Sequence, residues 1–326
     1  MPANSSQESK LHNLQRLLKT KKINKFSLFL SIFFILVAFS ILGYMAYREK
    51  ETLLNYDWQF KPWSALLSFL AFSLGLLIAA VVWGEIMNKL VAKKTEGKQL
   101  SYLTHIRYFC ISNIAKRLPG TIWYIAGRAQ LYSQQGIDWK LTSIASGVEM
   151  GIVVISSIVV SLFLGIILIS HDPNTTQYYV NPLILVGAIL LVGFIIHPRV
   201  IAWIFRLLNV EATSLRYKDL FLWVLIYILA WIVDGSIVFF IGNTISSIQL
   251  QHLGFIIWSF TVVSLLSKAL FFSPSNLGIS EIGLSVLLAN ILPITVAIIL
   301  AILMRLVIIL FEIIWAMACV AIKPSK

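Results

Sequence analysis

Long runs of apolar residues, separated by short polar segments, make up most of this chain. The first run covers residues 26–47 and follows a polar, basic segment at 1–25. A helix of about 20 residues, rising 1.5 Å per residue, crosses a hydrocarbon core of about 30 Å. The pattern therefore predicts an all-α, polytopic integral membrane helix bundle. The other runs occupy 62–88, 141–170, 180–197, 219–242, 253–272, 278–292 and 293–322.

Two arrangements of these helices fit the pattern. The runs 253–272 and 278–292 either cross separately, which gives eight spans, or form a re-entrant pair beside six full spans. The second run is short and ends at Pro293, because proline lacks the N–H that continues a helix. The run 26–47 is too long for the apolar region of a signal peptide, so we expect a retained first helix.

Composition and the placement of charge narrow the class of protein. Of the 326 residues, 59% are hydrophobic and 12% are charged, which excludes a water-soluble globule and a disordered chain. With the N-terminus inside, the inner segments carry 21 lysines and arginines and the outer loops carry three. Because positive residues stay on the cytoplasmic side, both termini are predicted there, in the plasma or inner membrane. The predicted units are a cytoplasmic basic segment at 1–25, one transmembrane domain at 26–322 and a cytoplasmic tail at 323–326.

The segment 112–128 is not an ordinary span. Pro119 and Gly120 stop a straight helix, and Lys116, Arg117 and Arg128 flank the break. Broken backbone at membrane depth needs protein or a watery cavity to satisfy its polar groups. We therefore predict a broken helical element whose three cations bind an anionic headgroup. The alternative is an amphipathic surface helix whose lysines and arginines reach out to lipid phosphates.

A second interruption lies between the last two apolar runs. Pro274 and Gly278 break the pattern, and Glu281 follows at once. Transporters place substrate sites at such interrupted helices. Glu281 would lie at the start of a half-helix, where the dipole favours a carboxylate. The alternative is a tight turn in which Glu281 only caps a helix.

Several charges lie inside the apolar runs. A charge at the centre of a span costs about 2.5–3.5 kcal/mol on insertion scales, so such residues normally face the protein and pair. Arg305 needs a partner from another helix, with Glu281 or Asp234 as candidates, and Arg128 can reach Glu149. These pairs either line a polar path or only lock helices together. The charged residues in or near the runs are Glu85, Glu149, Asp234, Lys268, Glu281, Arg305 and Glu312.

Motifs for catalysis, nucleotide binding and metal binding are absent from the sequence. It has no HExxH, Walker A or GxSxG motif and no Cys/His metal spacing, so we expect neither an enzyme nor a cofactor or metal. The net charge of +12 lies along a membrane face, so nucleic acid is not an expected partner. Trp123 and Tyr124 are expected at the membrane interface.

Two stretches carry a family resemblance. The first stretch covers residues 113–150 and the second covers residues 274–281. Met150 stands where the family has arginine, and Asn276 and Ser280 stand where it has glycine and arginine. Arg305 fits an arginine usual in the final helix. The chain resembles the lysylphosphatidylglycerol synthase transmembrane region, a flippase-type membrane module. The matching residues are Asn113, Pro119, Gly120, Gly127, Arg128, Gly136 and Glu149 in the first stretch, and Pro274, Leu277, Gly278 and Glu281 in the second.

The resemblance implies a module that handles lipids, in its best-known members by moving an aminoacylated phospholipid across the bilayer. Our first hypothesis is a translocase of an anionic, aminoacylated or polyprenyl-phosphate-linked lipid, working without ATP. Membrane lipids would be its partners, and its path would include Asn113, Pro119, Gly120, Glu149, Asp234, Pro274, Gly278, Glu281 and Arg305. The second hypothesis is a non-transporting subunit that anchors a lipid- or glycosyl-transferase. The third is a gradient-driven transporter of a small solute, with Asp234 and Glu281 as proton carriers.

Overall fold

The regular structure of the chain is helical wherever it is described. The computed structural model describes residues 50–91, 100–117, 122–171, 216–269 and 278–321, together with positions 40, 44 and 47, and these residues contain no strand. The predicted first helix is described only at those three positions. The basic segment 1–25, the run 180–197 and the tail 323–326 lie outside the described residues.

The described residues form nine α-helices, of which six follow predicted apolar runs. Short 3₁₀ turns at Ile114–Arg117 and Leu250–His252 join them. The helices are α1 (Lys50–Asn55), α2 (Pro62–Val91), α3 (Tyr102–Asn113), α4 (Ile122–Ser133), α5 (Trp139–His171), α6 (Tyr217–Ile245), α7 (Leu253–Ala269), α8 (Ile279–Leu288) and α9 (Ile294–Ala321).

Five of these helices, α2, α5, α6, α7 and α9, are long and apolar enough to cross a membrane. This confirms the prediction of an all-α, multi-pass membrane bundle. Helix α6 shows how such a helix divides its surface between lipid and protein. Leu222, Leu225 and Leu229 lie three and four residues apart and are exposed, whereas Trp223 and Tyr227 are buried. One face of α6 therefore meets lipid and the other meets protein.

Helix α8 is too short to be a span. Its ten residues are about 15 Å long, half of the hydrocarbon core. It lies against α7, because a Cβ added at Gly283 would meet the Val263 side chain at 3.3 Å. Val263 lies ten residues after the start of α7, and Gly283 lies ten residues before Pro293. Val263 therefore packs against the middle of α8.

Helix α6 lies at the centre of the bundle and packs on α2, α5, α7 and α9. Helices in a membrane associate through close packing, because lipid is as apolar as the helix surface. At Gly235 an added Cβ would come within 2.8 Å of the Ile257 Cα, so α6 and α7 touch backbone to backbone. Helix α9 also packs on α3, and the two helices carry the buried free cysteines Cys319 and Cys110.

Candidate functional site

The break predicted around 112–128 is present. Helix α3 ends at Asn113, a 3₁₀ turn follows, and α4 begins at Ile122. Pro119 and Gly120 themselves lie outside the described residues, as does the side chain of Arg117. The two short helices pack against each other and against spans, so their side chains converge on the interior of the bundle.

Arg128 of α4 is a buried charge with several polar partners. Its side chain is fully buried and forms an ion pair with Glu149 of α5. Its Nε donates to the Ser112 Oγ at 3.0 Å, and one Nη donates to the Asn113 Oδ1 at 3.4 Å. This confirms the predicted contact of Arg128 with Glu149. The same contact ties α3, α4 and α5 together.

Aromatic rings enclose the Arg128 guanidinium. Its carbon lies 4.2 Å from the ring centroid of Trp83, 4.4 Å from that of Phe109 and 5.2 Å from that of Tyr124. A planar, weakly hydrated guanidinium suits such stacking. Tyr124 is buried, so its prediction as an interface residue is wrong, whereas Trp123 is exposed. In this structure Arg128 holds helices and does not face lipid or solvent.

Among the described cations of the 112–128 segment, Lys116 is exposed and Arg128 is buried. Lys116 lies in the 3₁₀ turn. Its Nζ lies 5.1 Å from the centroid of the Tyr124 ring and 5.5 Å from that of Phe109. Two of the rings that enclose Arg128 therefore also lie close to Lys116. An exposed ammonium on an aromatic surface can contact an anionic group that approaches from outside.

A neutral hydrogen-bond network adjoins the arginine. The Trp83 Nε1–H donates to the Tyr132 hydroxyl at 2.8 Å, and that hydroxyl lies 2.6 Å from the His105 Nδ1. The His105 Nε2 lies 2.9 Å from the Asn88 Oδ1. A neutral imidazole with its proton on Nε2 satisfies every one of these contacts. Burial lowers the pKa of His105 to about 4, so the ring is neutral at physiological pH.

A ladder of polar side chains on α6 leads away from Glu149. The Tyr227 hydroxyl donates to the Glu149 Oε1 at 3.2 Å. One turn further, the Trp231 Nε1–H lies 3.2 Å from both the Val153 carbonyl oxygen and the Ser156 Oγ. Asp234 comes three residues later. Positions 227, 231 and 234 share one helix face, so they form a polar strip about 10 Å long.

The strip ends at Asp234 and Lys268, which come from α6 and α7. The Lys268 Nζ lies 4.5 Å from the Trp231 ring centroid and 3.4 Å from the Ser264 carbonyl oxygen. The charges of Lys268 and Lys116 both act on Asp234, although no described residue forms an ion pair with Asp234 within 4.0 Å. The carboxylate lies against Gly75 of α2, where an added Cβ would overlap Oδ1.

The second predicted interruption holds a separate ion pair. Glu281 of α8 pairs with Arg305 of α9, which confirms one of the two predicted partners of Arg305; Asp234 is not its partner. The other Glu281 oxygen accepts from the Gly278 N–H at 2.8 Å and the Ser280 Oγ at 2.9 Å. Glu281 therefore also caps α8. Gly278 has φ of +91°, a conformation that favours glycine, and Pro274 lies outside the described residues.

The sequence did not assign roles to Tyr227, Trp231, Lys268 or Trp83. The spacing of four and three residues from Tyr227 to Asp234 was a usable signal. The burial of Trp83 could not be predicted from the sequence, because tryptophan is also common at membrane interfaces. No group of three or more potential metal ligands occurs in the part of the chain that is described. Comparison with models of known protein families and with curated protein sequences gives no match.

Proposed function

We propose that this multi-pass membrane protein binds lipids that carry an anionic phosphate headgroup and moves them between leaflets without ATP. The observation that carries the proposal is the continuity of polar groups from Lys116 inward. Exposed at one end, the series passes Arg128 and Glu149, follows Tyr227 and Trp231 along α6, and reaches Lys268 and Asp234.

The amount of buried charge supports a path over a purely structural role. Each intramembrane charge is costly, and one ion pair per helix contact would be enough to fix packing. Here two direct ion pairs, Arg128 with Glu149 and Arg305 with Glu281, stand beside Asp234 and Lys268, which form no ion pair with each other among the described residues. In this proposal an anionic headgroup pairs with Lys268 at the inner end of the strip.

Phosphate is the chemical feature shared by the candidate lipids, whether aminoacylated, simply anionic or polyprenyl-linked. Lysine binds phosphate as a point charge, without the fixed geometry of a guanidinium. In this proposal Lys116 makes the first contact with the phosphate. Arg128, named as a headgroup ligand on sequence grounds, instead positions α4 and its aromatic rings. The orientation of the chain and the identity of its membrane stay predictions.

The test is lipid movement in liposomes that contain only this protein. Fluorescent headgroup-labelled lipids, neutral and anionic, are exposed to dithionite, which quenches the outer leaflet alone. We expect quenching beyond the outer-leaflet fraction with wild type and a clear loss of rate with Lys116→Gln. Lys140→Gln is the matched control, because Lys140 is an exposed lysine at the start of α5.

The outcomes separate the three functional hypotheses. No quenching beyond the outer leaflet with well-folded protein would contradict translocation and favour a subunit that anchors a partner enzyme. Equal rates in Lys116→Gln and Lys140→Gln would remove Lys116 from the path. Uptake of a small solute driven by an ion gradient, with no lipid movement, would favour a secondary transporter.

A further inference from the structure

Asp234 and Lys268 differ from the other buried charges in how they are held. Arg128 with Glu149 and Arg305 with Glu281 are direct ion pairs with added hydrogen bonds. Asp234 and Lys268 form no such ion pair among the described residues. The Lys268 Nζ lies 4.5 Å from the ring centroid of Trp231, three residues before Asp234 on α6, and both residues are partly exposed. Neither group therefore has to break a short contact with a described residue to respond to a proton or an anion.

Arginine and lysine also differ in whether they can lose their charge. A guanidinium keeps its charge in proteins, so the arginine pairs are fixed. A buried lysine and a buried carboxyl group can both change charge, because leaving water disfavours the ionised form. Among the described residues, the membrane interior thus holds two arginine ion pairs and one lysine–carboxyl pair whose cation can also lose its charge.

From this contrast we propose that Asp234 and Lys268 form a proton-coupled anion site. An ionised Asp234 holds the charge of Lys268, and a protonated Asp234 releases that charge to a phosphate group. One proton adds to the carboxylate and no other bond forms or breaks, so the net charge of the pair changes from zero to one positive. The inference rests on the proposed function and adds a coupling ion to it.

The described surroundings of Asp234 include two lysines and a glycine. Gly75 of α2 presents no side chain to the carboxylate. Within the described residues, Lys268 and Lys116 act on Asp234 electrostatically. The other charged residues on helices packed against α6 are Glu85 and Lys89 of α2, Lys140 and Glu149 of α5, and Arg305 and Glu312 of α9.

The coupling has a direct thermodynamic consequence. If a proton on Asp234 raises the affinity for an anion, bound anion raises the affinity for that proton by the same factor. A proton gradient could then drive an anionic lipid in one direction. Couplings of this kind typically change affinity by about fivefold or more.

The experiment measures binding rather than transport. Spin-labelled phosphatidylglycerol is added to phosphatidylcholine vesicles that hold the full-length protein, and the immobilised fraction is recorded from about pH 8 to about pH 5, a range in which buried carboxyl groups titrate. The phosphodiester keeps its charge over this range, so a pH dependence comes from the protein. We expect wild-type affinity to rise about fivefold or more as the pH falls.

Three variants make the result specific. Asp234→Asn should bind at every pH as wild type does at low pH, and Lys268→Gln should bind weakly throughout. Asp57→Asn, which removes an exposed carboxylate outside the spans, should behave as wild type. An unchanged pH dependence in Asp234→Asn would overturn the proposal. Inorganic phosphate that displaces the labelled lipid would identify a general phosphate site, and its failure to compete would identify a lipid site.

This result and the proposed function can fail separately. Lipid movement in liposomes together with pH-independent binding would contradict the coupling and leave translocation standing. If wild-type binding depends on pH, Asp234→Asn removes that dependence and no lipid moves, the coupled site is supported and translocation is contradicted.

Discussion

The Arg128–Glu149 region and the Asp234–Lys268 region lie along the same strip of polar groups and use charge differently. The first is fully buried, paired directly and enclosed by three aromatic rings. The second is partly exposed, and the described residues hold Lys268 by a 3.4 Å hydrogen bond to a backbone carbonyl and by the Trp231 ring. The comparison shows that the number of groups that bind a buried charge matters. A charge with many partners fixes the packing of helices, whereas a charge with few partners can change its protonation state.

The energetic difference between the two regions follows from desolvation. An ion pair inside a membrane protein repays the loss of water only with good geometry and added hydrogen bonds. The arginine pair meets that condition through Ser112, Asn113 and Tyr227. The lysine pair does not, so its charge state can change at lower cost.

The largest expected effect is on stability when Arg128 is removed. Arg128→Met leaves Glu149 as an uncompensated buried charge, which costs about 3–5 kcal/mol. Chemical unfolding in detergent micelles measures the change. Lys268→Met should cost well under half as much, because Asp234 can take up a proton when its cation is lost. Equal losses in the two variants would erase the contrast between the regions.

The double variant Arg128→Met with Glu149→Gln separates lost charge compensation from lost packing. Removing both charges should restore much of the stability lost in Arg128→Met. No recovery would mean that the aromatic stacking, and not the ion pair, carries the energy.

The next effect is the pH dependence of stability caused by His105, which lies next to the Arg128–Glu149 region. The pKa of His105 is lowered to about 4 by burial, from an ordinary value near 6.5. Between these values the unfolded chain binds a proton that the folded chain does not, so stability falls as pH falls through this window and levels off below it. At about 1.4 kcal/mol per pKa unit, the loss is on the order of 3 kcal/mol.

His105→Gln tests this assignment, because glutamine does not titrate. The variant should lose the stability change between about pH 6.5 and about pH 4, whatever its absolute stability. A pH dependence that stays as in wild type would assign the titration to another group.

A smaller effect is expected where Gly75 meets Asp234. A methyl group at Gly75 would overlap the carboxylate, and overpacking of this kind typically costs about 1–3 kcal/mol. Gly147→Ala is the control, since an added Cβ there meets nothing within 4 Å. Combining Gly75→Ala with Asp234→Ala should relieve the loss. Full additivity of the two single changes in unfolding measurements would show that the residues do not interact.

The helices were predictable from the sequence, whereas part of the candidate site was not. The apolar runs predicted α2, α5, α6 and α9 to within a few residues, because membrane spans are recognisable by their length and apolar composition. Depth along a helix also anticipated the contact of Arg128 with Glu149. The role of Lys268 was not predictable, since its contact with Trp231 depends on how α6 and α7 cross.

Burial of Tyr124 shows the same limit. An aromatic residue beside a chain break can lie at the membrane interface or inside the protein, and only the packing of α3, α4 and α5 decides which. Helix α6 is strongly apolar along its length, so composition alone could not orient Asp234. Its neighbours Tyr227 and Trp231 carried that information through their spacing.

The smallest effect tests the link between the two regions. Tyr227→Phe removes the hydroxyl that donates to Glu149 but keeps the ring and the Arg128 pair. Hydrogen bonds inside membrane proteins are worth on average about 0.6 kcal/mol, and those to charged groups somewhat more, so we expect a loss near 1 kcal/mol. Tyr217→Phe, an exposed position on the same helix, should be neutral. If the strip is a lipid path, Tyr227→Phe should slow lipid movement more than its small stability loss explains; identical rates in the two variants would leave Tyr227 with a structural role alone.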